Sequence, residues 1–226
     1  MKIAVLGTGM AGRALAGRFT ELGHEVTMGT RDPESSLARA QPDRMGIPPL
    51  SAWLAEHPLV TLASFADAAG RSEFVVNATN GAASLGALAS AGEAALSGKV
   101  LLDVANPLDF SHGLPPTLFV SNTDSLAEQI QRAFPAARVV KSLNTMTAAL
   151  QANPARLADG DHSVFVSGND DEAKTTVIDL LASLGHTDVI DLGDISTARG
   201  AEMLMPVWLR LRGALGTGLF NYKIVR

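Results

Sequence analysis

The six residues Gly7-Thr8-Gly9-Met10-Ala11-Gly12 stand directly after the apolar run Lys2-Ile3-Ala4-Val5-Leu6. They are followed directly by Arg13 to Leu22, where Leu15, Phe19 and Leu22 recur at helical spacing. The spacing GxGxxG alone constrains little. Between a strand and a helix it demands a strand-turn-helix unit in which each glycine has its own duty. Gly7 permits the tight turn, Gly9 lets a ligand approach the backbone, and Gly12 removes a side chain where helix and strand pack. Open amides at the helix start, reinforced by the helix dipole, then attract an anion without a basic side chain. The unit reads as a cradle for the pyrophosphate of a dinucleotide.

A second strand, Glu25-Val26-Thr27-Met28-Gly29, follows the turn Leu22-Gly23-His24 and runs out at Thr30-Arg31-Asp32-Pro33. At such a strand end a carboxylate binds the ribose 2′-hydroxyl of NAD, whereas an arginine accommodates the 2′-phosphate of NADP. Thr30 and Arg31 stand there and point to NADP, the arginine through a forked, charge-assisted contact and the threonine through its hydroxyl. Asp32 would favour NAD if it faced the ribose. In front of Pro33 it fits better as a helix N-cap with proline at the first helical position.

A chain of 226 residues can bury a large core and suits one α/β domain, alone or with a small addition. A formal net charge of -5, with no basic run, argues against a nucleic-acid partner. The absence of cysteine excludes disulfides, thiolate nucleophiles, cysteine-ligated zinc and iron–sulfur clusters. A strand starting at Lys2 leaves no signal peptide, and no apolar stretch reaches the roughly 18 residues of a membrane span. A soluble cytoplasmic protein is expected.

Further strands are expected at Val60–Ala63, Glu73–Ala78, Lys99–Val104 and Arg138–Leu143, the last three separated by helices at Ala82–Leu96 and Ser125–Phe134. That alternation predicts a doubly wound, mainly parallel Rossmann sheet covered on both faces. Residues 33 to 58 are punctuated by five prolines and read as short helices such as Ser51–Glu56. After the Rossmann portion, residues 1–152, a short C-terminal αβα extension spans 153–226. It comprises a strand at His162–Ser167, a helix at Asp171–Leu184, a strand at Asp188–Leu192, and a terminal helix at Thr197–Leu215 kinked near Pro206. Apolar residues on that last helix exceed one stripe, which suggests cover by a second subunit.

Open α/β sheets bind ligands beyond the carboxyl ends of their strands. The loops so placed are Asn77-Ala78-Thr79-Asn80-Gly81, Ala105-Asn106-Pro107-Leu108 and Asn144-Thr145-Met146. All are small, neutral and polar, which suits a nicotinamide ribose and carboxamide. No histidine or cysteine set has metal-ligand spacing, and no nucleophile elbow or paired carboxylate occurs. His112 lies in a loop downstream and reads as a surface residue. Lys141 sits inside a strand and is expected to reach its edge. The catalytic residues are therefore unassigned, which fits direct hydride exchange between two bound cofactors, where positioning does the work. It also fits a non-catalytic NADP(H) sensor, or an imine or carbonyl reductase with His112 or Lys141 recruited as acid.

The fingerprint, the phrase Leu22-Gly23-His24-Glu25-Val26, the Gly29-Thr30-Arg31 that follows and the segment Lys141-Ser142-Leu143-Asn144-Thr145 resemble the family of F420:NADP oxidoreductases. They are similar also to the reductase domain of ferric-reducing membrane proteins. The resemblance runs over nearly the whole chain and implies an NADP-binding Rossmann domain, a homodimer, and hydride exchange with coenzyme F420 or a flavin. It implies cofactor contacts at Gly7, Thr8, Gly9, Met10, Ala11 and Gly12, at Thr30 and Arg31 for the 2′-phosphate, and at Ala78, Thr79, Ala105, Asn106 and Asn144 for the nicotinamide side. Met10-Ala11 replaces the acidic or amide residues of better-known members, and Asn77–Asn80 replaces an apolar segment.

Overall fold

Alternate residues of the first strand, β1 (Lys2–Leu6), face opposite ways: Ile3 and Val5 enter one core and Ala4 and Leu6 the other. A strand buried on both faces is what its unbroken apolar run requires. The computed structural model describes residues 1–43 and 46–226; residues 44 and 45, inside the irregular stretch 33–58, lie outside the described residues.

From β1 the chain runs through α1 (Met10–Glu21), β2 (Glu25–Thr30), α2 (Pro33–Ala38), α3 (Leu50–Glu56), β3 (Val60–Ser64), α4 (Phe65–Arg71) and β4 (Phe74–Asn77). It continues through α5 (Gly81–Ala91), α6 (Glu93–Leu96), β5 (Val100–Asp103), a ribbon of β6 (Leu108–Asp109) and β7 (Thr117–Leu118), α7 (Leu126–Ala133) and β8 (Arg138–Ser142). The last part is α8 (Ala148–Ala152), β9 (Ser163–Gly168), α9 (Asp171–Leu184), β10 (Asp188–Asp191), α10 (Ala198–Met203) and α11 (Met205–Leu215).

The eight-stranded sheet has the order β10-β9-β8-β5-β4-β1-β2-β3. The α/β doubly wound architecture expected from the sequence is present, and the late strand-helix-strand unit extends the same sheet. One feature was not expected: β9 pairs antiparallel to β8, so β9 and β10 run opposite to the six parallel strands beside them. Helices α1, α8 and α9 cover one face with Leu15, Phe19, Leu150, Val177 and Leu181, while α4, α5 and α7 cover the other with Phe65, Ala68, Leu88, Leu126 and Ile130. Each large side chain buried in this way contributes about 1.5–3 kcal/mol.

Local chemistry accounts for several boundaries. Asp32 accepts from the Ser35 amide at 3.1 Å with Pro33 opening α2, so it is the N-cap that the sequence suggested. The single helix expected over 82–96 is two, because Gly92 at φ +95° ends α5 with its amide on Leu88 and Ala89. The terminal helix breaks at Leu204, and Pro206 lies in the first turn of α11.

Candidate active site

The turn after β1 is built by close approach. Gly7 has φ +116°, and a Cβ there would lie 2.5 Å from the Ala78 carbonyl oxygen; a Cβ on Gly12 would lie 2.1 Å from the Gly7 carbonyl oxygen. Neither position can hold a side chain, so the turn is pressed against both the helix and the loop after β4. Gly9 differs: a Cβ there would meet nothing within 4 Å. It caps α1 without a side-chain bond, which leaves the first-turn amides of Met10, Ala11 and Gly12 open. The space over Gly9 and this helix end fit a pyrophosphate. Arg13 braces the turn, donating from Nε to the Thr8 carbonyl at 2.8 Å and from Nη1 to the Pro48 carbonyl at 2.7 Å. Burial lowers its pKa, with Asp43 opposing and Arg39 adding to the shift.

Beside the turn lies a cleft of about 500 Å³, lined among others by Thr8, Gly9, Ser36, Arg39, Ile47 and Pro48. Thr30 is buried at the end of β2 and its hydroxyl lies 2.8 Å from Ser36 Oγ. Arg31 and Arg39 are exposed and make no hydrogen bond or ion pair with the described residues. Arg39 lines the cleft and Arg31 directly follows β2, and uncommitted guanidinium groups are the chemistry a phosphate monoester requires. Arg39 and Ser36 lie in a stretch whose prolines obscure any sequence pattern, and only the fold brings them to the cleft.

Across the sheet, three loops meet. The Asn77 amide nitrogen donates to Asp103 Oδ1 at 2.7 Å and to Ser84 Oγ at 3.1 Å, and its oxygen accepts from the Thr79 hydroxyl at 2.7 Å. The next pair of loops is joined by asparagines: Asn106 Nδ2 donates to the Asn144 carbonyl at 2.8 Å, and Asn144 Nδ2 donates to Asn106 Oδ1 at 2.9 Å. Asn144 Nδ2 also donates to the Ala201 carbonyl at 3.0 Å and the residue is buried. Both its protons are thus committed inside the chain, so it acts as a brace. Ala78, Thr79 and Asn106 are half-buried, and Ala105 is buried.

Lys141 does not reach the strand edge. It is the register partner of Asp103 and is fully buried, with Nζ 2.8 Å from Asp103 Oδ2 and 2.9 Å from Glu202 Oε1, and it also donates to the Ala105 carbonyl. Glu202 in turn accepts from the Leu126 and Ala127 amides at 2.8 and 3.1 Å, where α7 begins. Burial alone would lower the ammonium pKa, but Asp103 and Glu202 outweigh it and hold Lys141 protonated above its usual range. An ammonium locked in this way is no general acid. His112 is exposed in the loop between β6 and β7. Lys141 is thus committed to a buried charge cluster and His112 to an exposed loop, and no group of three or more metal-ligating side chains occurs among the described residues.

This site belongs to a recognisable lineage. Residues 2–107 match the family model described as NADP oxidoreductase, coenzyme F420-dependent. A crystal structure at 1.70 Å from Arthrobacter sp. FB24, provisionally described as an F420-dependent NADP-reductase, is 66% identical, with a TM-score of 0.97 and complete coverage of both chains. The chain belongs to the F420-dependent NADP oxidoreductase family. Within that family of NADP-dependent oxidoreductases, the F420-dependent NADP reductase of Methanocaldococcus jannaschii is 28% identical, with 97% of each chain covered. Metalloreductase STEAP3 of Rattus norvegicus is 32% identical over 97% of this chain, which spans 40% of that protein's length. No helix among the described residues is long and apolar enough to cross a membrane.

Proposed function

We propose that the protein exchanges hydride between NADP(H) and a flat tricyclic acceptor, coenzyme F420 or a flavin in its place. The observation that carries this reading is the pairing of an open α1 N-terminus at Gly9 with a cleft beside it lined by Arg39, whose guanidinium makes no hydrogen bond or ion pair with the described residues. The amides of Thr8, Gly9, Met10, Ala11 and Gly12 would take the pyrophosphate, with Gly7 setting the turn. Thr30 and Arg31 would take the 2′-phosphate, with Ser36 and Arg39 beside them. Ala78, Thr79, Ala105 and Asn106 would form the nicotinamide side, and Asn144 would hold two of its loops together.

NADP(H), when bound, supplies the hydride carbon. The residues of this chain bind it, orient it and keep charged side chains away from the ring, which fits a site where the buried Lys141 ammonium is held by Asp103 and Glu202. Stopped-flow mixing of NADPH-loaded protein with F420, FMN, FAD and ferric chelates tests the proposal. Loss of NADPH absorbance with F420 or a flavin is the expected result. NADPH binding without turnover by any acceptor would instead favour the sensor reading. The proposal includes a homodimer, supported by Val207 and Leu215 standing exposed on α11 while Met205 and Trp208 are buried; sedimentation velocity tests that part.

A further inference from the structure

We infer that the Thr79 hydroxyl is fixed as a hydrogen-bond acceptor for the carboxamide amino group of the nicotinamide, and so selects a cofactor that carries that donor. The inference rests on the NADP(H) reading of this site. A buried charge sets the polarity of this network. Asp103 faces the Lys141 ammonium at 2.8 Å with neither side chain exposed, and an ionised carboxylate can only accept. Asn77, itself fully buried, must therefore turn its amide nitrogen towards Asp103 Oδ1, 2.7 Å away, and its second proton goes to Ser84 Oγ at 3.1 Å.

That orientation leaves the Asn77 carbonyl oxygen facing Thr79, where it accepts from the Thr79 hydroxyl at 2.7 Å and from the Thr79 amide at 3.3 Å. A hydroxyl has one proton and two lone pairs. With the proton given to Asn77, Thr79 offers only lone pairs elsewhere. Ser84 Oγ lies 3.0 Å from Thr79 Oγ1 and can occupy one of them. The other is left for a donor approaching a half-buried residue.

Thr79 is also well placed to meet a cofactor leaving the phosphate cradle. The Cβ direction of Gly7 ends 2.5 Å from the Ala78 oxygen and 3.0 Å from the Thr79 nitrogen, so the cradle and this loop are in direct contact. A carboxamide presents an amino donor at one end and a carbonyl acceptor at the other. Only the amino end can satisfy an acceptor-only hydroxyl, since the carbonyl would set two acceptors against each other. The polarity passed from Lys141 through Asp103 and Asn77 thus holds the carboxamide one way round and restrains rotation of the ring.

The test uses the 3-acetylpyridine analogue of NADP⁺, in which a methyl group replaces the amino group. Calorimetric titration of the full chain is expected to show NADP⁺ binding roughly 3- to 10-fold tighter than the analogue, the range of one neutral hydrogen bond. Thr79→Ser keeps the hydroxyl and should keep that ratio. Thr79→Val should bind the two alike; because the buried Asn77 carbonyl loses its hydroxyl donor, its melting temperature should fall by a few degrees while the chain stays folded at the titration temperature. Retention of the ratio in Thr79→Val overturns the inference and leaves the NADP(H) reading standing. Loss of it in Thr79→Ser as well assigns the effect to methyl packing and overturns the inference too. Failure of the parent chain to bind NADP⁺ overturns both.

Discussion

Glu202 Oε1 lies 2.9 Å from Lys141 Nζ, so a residue of α10 closes a buried charge cluster whose other members, Asp103 and Lys141, lie on neighbouring strands. Removing the cation strands two carboxylates without a counter-charge. Lys141→Met is expected to cost about 3–5 kcal/mol in urea unfolding, the scale for breaking a buried pair from one side. The sign of the pH effect follows from the raised pKa. This contribution is complete below the ordinary lysine value of 10.5 and fades only as pH climbs through the higher value of the folded state. Unfolding midpoints measured from pH 8 to 10 should show no loss from this source.

The fingerprint glycines separate stability from binding. Gly12→Ala places a Cβ 2.1 Å from a backbone oxygen that cannot move aside cheaply. A melting-point drop corresponding to roughly 1–3 kcal/mol or more is expected. Gly9→Ala meets nothing in the fold and should melt like the parent, yet it fills the space over the helix end and should abolish detectable NADP⁺ binding. A Gly9→Ala protein that binds NADP⁺ normally would show that the pyrophosphate does not sit there.

Arg31→Ala should weaken NADP⁺ by about 1.5–3 kcal/mol, the usual scale for a hydrogen bond to a charged group, with NAD⁺ nearly unaffected. Arg39→Ala should act in the same direction. Titration of both cofactors into both variants decides the matter, since equal losses for NAD⁺ and NADP⁺ would mean that neither arginine reads the 2′-phosphate.

His186 gives an acid-side prediction. Burial pushes its pKa down from 6.5 to about 4; the His162 ring adds to the shift and the bond to the Gln151 carbonyl opposes it. A depressed value means that stability is present above pH 6.5 and is lost as pH falls towards 4, by up to about 3 kcal/mol for one histidine. Urea midpoints of the parent should fall over that window. In His186→Asn the decline should be shallower by about one proton.

The strand-turn-helix around Gly7 to Gly12, the strand pattern and the N-cap at Asp32 were legible because each is local: apolar period, glycine placement and a proline suffice. The helix α4 was missed although its signal was present. Ser64 accepts from the Asp67 amide at 3.1 Å and bonds the Asp67 carboxylate at 2.7 Å, a small capping motif in front of an alanine-rich turn with no strong periodicity. Glu202 was not legible at all, since its amide partners lie 75 and 76 residues away. Asp103 and Lys141 could have been found: opposite charges inside adjacent apolar strands, placed at matching heights, have few fates other than each other. Asn144 was recognised as important, but its role as a brace depends on Ala201, which only the folded chain brings near.

The reversed direction of β9 and β10 puts their carboxyl ends at the opposite side of the molecule from Gly7. There the chain plugs the gap itself: the Gly168 amide donates to the Gly193 carbonyl, Asn169 takes the Ile195 amide at 3.0 Å, and the Thr197 hydroxyl donates to Ser167. The extra strands therefore widen the sheet without opening a rival mouth. The strand ends that face the side of Gly7 are then those of the six parallel strands, with the carboxyl ends of β9 and β10 closed by the chain itself.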